Sequence, residues 1–403
     1  MHSGITYRFA AVRPLVLAAI WLCGSGSLFA QTFTTLYLFG PGGNPEGKLV
    51  EGRDGNLYGT TYGYLGKGNG MIFKITPSGS FTELHGGGEY AAGLTLGSDG
   101  NFYGTSYAGG TGGDGFVFKM TSSGALTTLY TFAANSNGIW ANGNFPRGLV
   151  QASDGNFYGT TYYGGTNTCI SGGTNYGCGT VYRITPGGTL TTLYNFCSKS
   201  GCADGQNPGT LVLGADGSLY GTTLYGGGSA CNGGCGTIFK ITTTGTFATL
   251  HSFDSTDGAV PAALIQATDG NIYGTTSYGG SGSSCSSGCG TIFKMTSAGV
   301  VTTLHSFGIS DGSVPDGMIQ GADGNFYGVT EGGGTSVYGT IFKITSTGTI
   351  TTLHSFDKTD GANPTALVQH SNGSFYGTTV SGGKTSYHFC QAYCGTLFSL
   401  SVP

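Results

Sequence analysis

From Thr32 onward, apolar and polar positions alternate in short bursts, each closed by a turn containing Asp-Gly or Gly-Gly. Residues 148–196 show the beat: "GLVQAS", "NFYGTTYY", "GTVYRIT" and "LTTLYNF" read as four half-buried strands, a to d. The tight connections "SDGN" (a to b) and "TPGG" (c to d) are hairpin turns by composition. The b–c and d–a connections are longer and more variable. No long segment carries the 3.6-residue period of an amphipathic helix, so the pattern predicts an all-β chain.

The unit repeats. Asp/Asn-Gly-Asn/Ser-x-Tyr-Gly occurs seven times, with its tyrosine at Tyr58, Tyr103, Tyr158, Tyr220, Tyr273, Tyr327 and Tyr376, at spacings of 45 to 62 residues. That is the period of a four-stranded propeller blade. The last unit stops at "GTLFSLSVP", after strand c, while Thr32–Phe39 ("TFTTLYLF") is a strand d with no unit before it. An open array would leave both edges unpaired. The prediction is therefore a seven-bladed β-propeller over residues 31–403, closed by the N-terminal strand pairing with the segment around Gly395–Leu400. The glycine after each repeat tyrosine marks close backbone approach, and the tyrosines themselves read as packing between blades.

The recurring Tyr-Gly-Thr-Thr…Gly-Gly…Gly-Thr-[Val/Ile]-Phe-Lys…Leu-Thr-Thr-Leu-[Tyr/His]-x-Phe resembles the GloVer (Gloeo_Verruco) tandem repeat of exported bacterial proteins, over essentially all of Thr32–Pro403. The resemblance implies export and brings neither an established reaction nor catalytic residues. Members of that family often end in a sorting segment; this sequence stops three residues after Leu400.

Composition narrows the class further. Of 403 residues 80 are glycine, without a three-residue period, so collagen is excluded; 12% are aromatic, which excludes a disordered linker. Residues 1–30 carry Arg8 and Arg13, then "PLVLAAIWLCG" and "SGSLFA", the layout of a signal peptide cleaved after Ala30. We expect a secreted or periplasmic bacterial protein with no membrane span in the mature chain, and a monomer. Ten cysteines remain after Cys23, and they fall into local pairs: Cys169/Cys178, Cys197/Cys202, Cys231/Cys235, Cys285/Cys289 and Cys390/Cys394. These read as disulfides that tie down long loops, because no histidine recurs beside them to complete a zinc site.

Charge sorts the two faces of the ring. An acid in the a–b turn (Asp54, Asp99, Asp154, Asp216, Asp269, Asp323) and a cation on strand c (Lys74, Lys119, Arg183, Lys240, Lys294, Lys343) are both lost in the seventh unit, at Asn372 and Ser399. One ion pair per blade on this bottom face is the expectation. Most other acids fall in the d–a and b–c loops, which share the opposite, top face. An acidic top disfavours nucleic acid and polyuronates.

Candidate chemistry sits where the repeat is broken on that top face. Arg147 and Asp316 stand where other units have Gly209, Ala262 and Thr365; Glu331 stands where others show Tyr62, Tyr107, Tyr162, Leu224, Ser277 and Val380; Glu46 is a further top-loop acid. Trp140 lies in the longest d–a loop. These five are the candidate ligand-binding residues, with Asp316 and Glu331 a candidate carboxylate pair for glycoside hydrolysis. "DSTDG" and "DKTDG" offer Asp254, Asp257, Asp357 and Asp360 to calcium, although the recurrence of Asp-Gly-x-x-Pro reads as a turn; no other cofactor is implied. His85, His251, His305 and His354 share one strand-d position with tyrosines and read as structural, while His370 and His388 stand off the pattern without a visible partner. The reading is an exported, non-catalytic propeller that binds a glycan or protein through its top loops. The alternatives are a carbohydrate-active enzyme and a structural envelope protein.

Overall fold

The glycine that follows each repeat tyrosine sets the blade geometry. Gly221 pairs with Phe239 of strand c, and a Cβ on Gly221 would lie 2.4 Å from that ring. Gly274 meets Phe293 and Gly328 meets Phe342 at 2.5 Å in the same way. The phenylalanine of the "GTIFK" motif thus lies flat over strand b, where any side chain would displace it. The second threonine of "GTT" hydrogen-bonds the threonine of "GTIF" inside the sheet: Thr223–Thr237 at 2.8 Å, Thr276–Thr291 at 2.9 Å and Thr330–Thr340 at 2.8 Å. These buried hydroxyls are therefore satisfied.

A computed structural model of the chain describes residues 31–40, 43–62, 70–88, 91–135, 138, 140–171, 174–282, 284–383 and 394–402. Its strands form seven antiparallel sheets, plus a two-stranded hairpin in the third unit. Blades two to six take strands a to d in chain order; the fifth, for example, uses Ala259–Gln266, Ile272–Tyr278, Thr291–Met295 and Val301–Ser306. In the first blade strand a is broken into Asn44–Pro45 and Val50–Glu51. The seventh blade is built from both ends of the chain. Thr32–Leu38 pairs antiparallel with Thr396–Ser401, from Thr32↔Ser401 to Leu38↔Thr396 with one bulge between Thr35 and Tyr37, and Phe39 N–H donates to the Gly395 carbonyl at 3.0 Å. The expected closure is what the strands do. The candidate signal peptide at 1–30 lies outside the described residues.

Blades meet through the repeat tyrosines. Tyr58 lies 4.1 Å from Phe102, Tyr103 3.9 Å from Phe157, Tyr273 4.1 Å from Phe326 and Tyr327 4.2 Å from Phe375, centroid to centroid. Across the seam Tyr376 packs with Leu57, Phe73 and Leu397 in one buried cluster. Each tyrosine hydroxyl then reaches its own a–b turn, as at Tyr273 Oη–Asp269 Oδ2, 2.9 Å. That aspartate also caps the turn, since its Oδ1 accepts the Asn271 N–H. The cap and the ion pair are one arrangement: Lys119–Asp99, Lys240–Asp216, Lys294–Asp269 and Lys343–Asp323 lie 2.7–3.2 Å apart. Lys74 and Arg183 only help to lower Asp54 and Asp154 from a distance, so the expected pair is closed in four blades, not six. In the seventh the hydrogen bond reverses: Asn372 Nδ2 donates to Tyr376 Oη at 2.9 Å.

Three of the strand-d histidines, together with Tyr194, pin the d–a loops. His251–Asp257, His305–Asp311, His354–Asp360 and Tyr194–Asp204 are 2.6–2.7 Å contacts. Four disulfides form as expected, Cys169–Cys178, Cys197–Cys202, Cys231–Cys235 and Cys285–Cys289. Cys394 is disulfide-bonded too, while Cys390 and His388 lie outside the described residues. Paired cysteines in this number point to an oxidising compartment. Among the described residues no helix is long and apolar enough to cross a membrane.

Candidate functional site at the channel mouth

The innermost strand of blades two to seven carries a bulge at the top of the channel. In the third blade Pro146 pairs with Thr161 and Leu149 with Gly159, so Arg147 and Gly148 oppose one residue. The same skip follows Pro208, Pro261 and Pro315. A bulge re-aims side chains, and here the re-aimed residue is Arg147, Gly209, Ala262 or Asp316. Neighbouring blades hold the bulge from behind. Thr105 Oγ1 donates to the Arg147 carbonyl at 3.1 Å, Thr160 Oγ1 to Gly209 at 2.6 Å and Thr275 Oγ1 to Asp316 at 2.7 Å. The broken first-blade strand holds Glu46 and Lys48 in the equivalent stretch.

Four of the sequence-predicted residues are brought together here. Glu46 feels both Glu331 and Arg147, and Asp316 feels Glu331. Burial, then the Glu331 carboxylate, push the Asp316 carboxyl up to about 7. Glu331 is raised by burial, and Glu46 by burial and then by Glu331, against the pull of Arg147. Glu46, Lys48 and Glu331 nevertheless keep surface open to water, because they are walled in by blades around an open mouth rather than sealed in a core. Pro315 pairs with Thr330, so Asp316 and Glu331 are diagonal neighbours on adjacent strands. They are near enough for the Glu331 charge to act on Asp316.

Arg147 faces tyrosines. Its guanidinium lies 4.8 Å from the Tyr162 ring centroid and 5.8 Å from that of Tyr107, and its Nε is buried without a hydrogen-bond partner. Lys48 was missed by sequence reasoning. Burial lowers its pKa, and it makes no ion pair among the described residues. Neither do Glu46, Arg147, Asp316 or Glu331. Three carboxylates and Arg147 thus act on one another here without closing a salt bridge, with Lys48 on the neighbouring first-blade stretch.

The other candidates lie elsewhere. Trp140 sits on the d–a loop before the third blade, with its indole N–H buried and no acceptor among the described residues. The proposed calcium ligands are engaged in their own turns. Asp254 Oδ1 accepts from Thr256 N–H and Oγ1, and Asp357 Oδ1 does the same with Thr359. Asp257 and Asp360 each accept a loop N–H on Oδ1 and face a histidine on Oδ2. His370, read as partnerless, does have partners on the bottom face. Its Nε2 donates to the Gly55 carbonyl at 2.9 Å, its Nδ1 accepts the Asn372 N–H at 3.0 Å, and Glu51 is 3.4 Å away.

Solved structures share the ring at low identity. Virginiamycin B lyase from Staphylococcus aureus superposes with a TM-score of 0.62 at 16% identity, over 93% of this chain and 100% of that one. The WD40 β propeller domain of Doa1 superposes with a TM-score of 0.54 at 9% identity, over 93% and 98%. One is a lyase and the other a WD40 domain, so the likeness speaks to fold alone. No curated protein matches the chain. The Gloeobacter/Verrucomicrobia repeat model matches residues 24–171, 134–286 and 167–398, and the chain belongs to that repeat family.

Proposed function

We propose that this propeller is an exported binding protein that holds a glycan at its channel mouth. The observation that carries the reading is the set of unpaired charges beside an aromatic wall: Glu46, Asp316 and Glu331 on one side, Arg147 over Tyr107 and Tyr162 on the other. Sugar hydroxyls donate to carboxylates, accept from a guanidinium or amine, and leave an apolar ring face for an aromatic side chain. A site with both signs held apart suits such a ligand better than it suits a polyanion. It is also preorganised, so little ordering cost is left for binding. The test is a glycan-array screen followed by calorimetry of each hit against wild type, Arg147→Ala and Glu331→Gln, with and without calcium. Hits that both variants weaken support the reading; an array without hits, or hits that ignore both variants, removes it.

A second reading draws on Asp316, whose near-neutral pKa beside Glu331 suits a general acid facing a general base. In it the same site cleaves the glycan it holds. Release of new reducing ends from a bound glycan, lost in Asp316→Asn, is the measurement that separates catalysis from binding.

A further inference from the structure

Five residues after the start of each repeat tyrosine-glycine pair, the chain leaves strand b at the top face. At that place the third, fourth and fifth blades carry Tyr163, Tyr225 and Tyr278, whereas the second, sixth and seventh carry Ala108, Gly332 and Ser381. The fold therefore does not need a ring there. Tyr163 is half-buried against Phe145, Tyr162 and Tyr176, but the other two rings are not spent on packing: Tyr225 is 36% and Tyr278 42% exposed, unusual for large side chains in a protein whose repeat tyrosines are all but sealed.

The three positions share one frame. The next residue is tied across its loop each time, by Gly164 N–H to the Tyr176 carbonyl at 2.7 Å, Gly226 N–H to Gly233 at 2.8 Å and Gly279 N–H to Ser287 at 2.8 Å. Each of these loops is also stapled, by Cys169–Cys178, Cys231–Cys235 and Cys285–Cys289 respectively. Three consecutive blades thus present a tyrosine at the root of a cross-linked loop. The row is continuous with the channel mouth. Tyr163 packs edge-on against Tyr162 at 4.6 Å, Tyr162 is the ring under Arg147, and Tyr225 lies within electrostatic reach of Tyr162.

We infer that the row formed by Tyr163, Tyr225 and Tyr278 is an extended set of subsites, and that the ligand is a linear, uncharged polysaccharide whose chain runs from the channel mouth across the third to fifth blades. This rests on the glycan reading of the mouth and adds the class of glycan. A half-buried ring at Tyr163 followed by exposed rings at Tyr225 and Tyr278, each mounted on a stapled loop, matches the repeating apolar faces of a sugar chain. The acids at the mouth disfavour a polyanionic one. A monosaccharide or a short branched glycan would reach only the first station.

The experiment titrates the full chain with ladders of neutral oligosaccharides, from disaccharide to hexasaccharide, of the cello-, malto-, xylo-, manno- and laminari- series. The expected result is an affinity in one series that climbs at least about tenfold with length, the equivalent of one good contact. Tyr225→Ala and Tyr278→Ala should each lose that increment, keep disaccharide binding and melt like wild type. Reduction of the disulfides should erode the increment in the same way. Binding that is flat with length, or length dependence that both tyrosine variants retain, overturns the inference and leaves the glycan reading standing. No binding in any series, beside an array also without hits, removes both.

Discussion

The carboxylate of Glu51 in the first blade accepts the backbone N–H of Ser371 in the seventh at 2.9 Å. At four other junctions that latch is a glutamine: Gln151 holds Ser98, Gln266 holds Ala215, Gln320 holds Thr268 and Gln369 holds Ala322, always from the end of one strand a to the turn of the preceding blade, while the second and fourth blades carry Leu96 and Leu213 there. The seam where the two chain ends meet is therefore fastened in the same way as the interior of the ring. Glu51→Ala should cost about 1–2 kcal/mol in a denaturant melt, because a turn N–H loses its acceptor. Glu51→Gln should cost little, since it restores the acceptor used in four other blades. Equal destabilisation by both would show that the charge, not the latch, matters.

Asp316 gives a pH dependence with a definite sign. Its folded pKa is pushed up to about 7, against roughly 4 for a free carboxyl. Between those values the folded state binds more protons than the unfolded one, so stability falls as pH rises. Asp316→Asn removes that penalty. It should stabilise the protein at pH values above about 7 and make no difference near pH 4. A gain that is constant across the range would contradict the raised carboxyl.

The bottom-face pairs have the opposite sign. Burial alone would raise Asp269, but hydrogen bonds from Asn271, Tyr273 and Lys294 together hold it down at about 2. Stability from such groups is present above the unfolded value near 4 and is lost as pH falls through the folded one. Replacing Asp99, Asp216, Asp269 and Asp323 together by Asn should lower stability at neutral pH and flatten the acid limb of a pH–melting curve. The pairs are part-exposed, so each is worth only ~0–1 kcal/mol. An acid limb as steep as wild type would place the acid-sensitive groups elsewhere.

Val260 and Val314 occupy positive φ, both at 55°, in the first turn-in of strand a. Their N–H groups reach the carbonyls of Cys235 and Cys289 in the preceding blade, both at 2.9 Å, which fixes that conformation. Asn207 and Asn363 hold the same place in other blades at φ 56°. A β-branched residue is strained there. Val260→Asn and Val314→Asn should each raise the melting temperature, by the equivalent of about 1 kcal/mol. A loss instead would mean that the valine side chains pack in ways that offset the strain.

How much of this was legible follows from what repeats and what does not. The ring was readable because the surplus strand at Thr32–Phe39 and the missing strand after Leu400 are complementary, and because Tyr-Gly opposite Phe recurs in phase. Arg147, Asp316 and Glu331 stood out as breaks in that pattern, and they do converge. Lys48 did not, because the first blade inserts one residue between Pro45 and Val50, against Pro146–Val150 in the third, and so slips out of alignment with the others. The Glu51 latch and the His–Asp pins were hidden for a different reason. Each joins residues whose relation depends on how neighbouring strands turn in space, and a glutamate among glutamines looks like ordinary surface.

Closure by the first strand also sets an order of events in biogenesis. Thr32–Leu38 is made before every blade, yet its neighbour Thr396–Ser401 is synthesised only after the other six are complete. While the blades between them are being made, that strand has no mate, and six blades are complete before it finds one. A ribosome that stalls, or a protease that clips the tail, leaves a sheet with bare hydrogen-bonding edges instead of a slightly shorter protein. Arrival of Thr396–Ser401 is therefore the step that closes the ring.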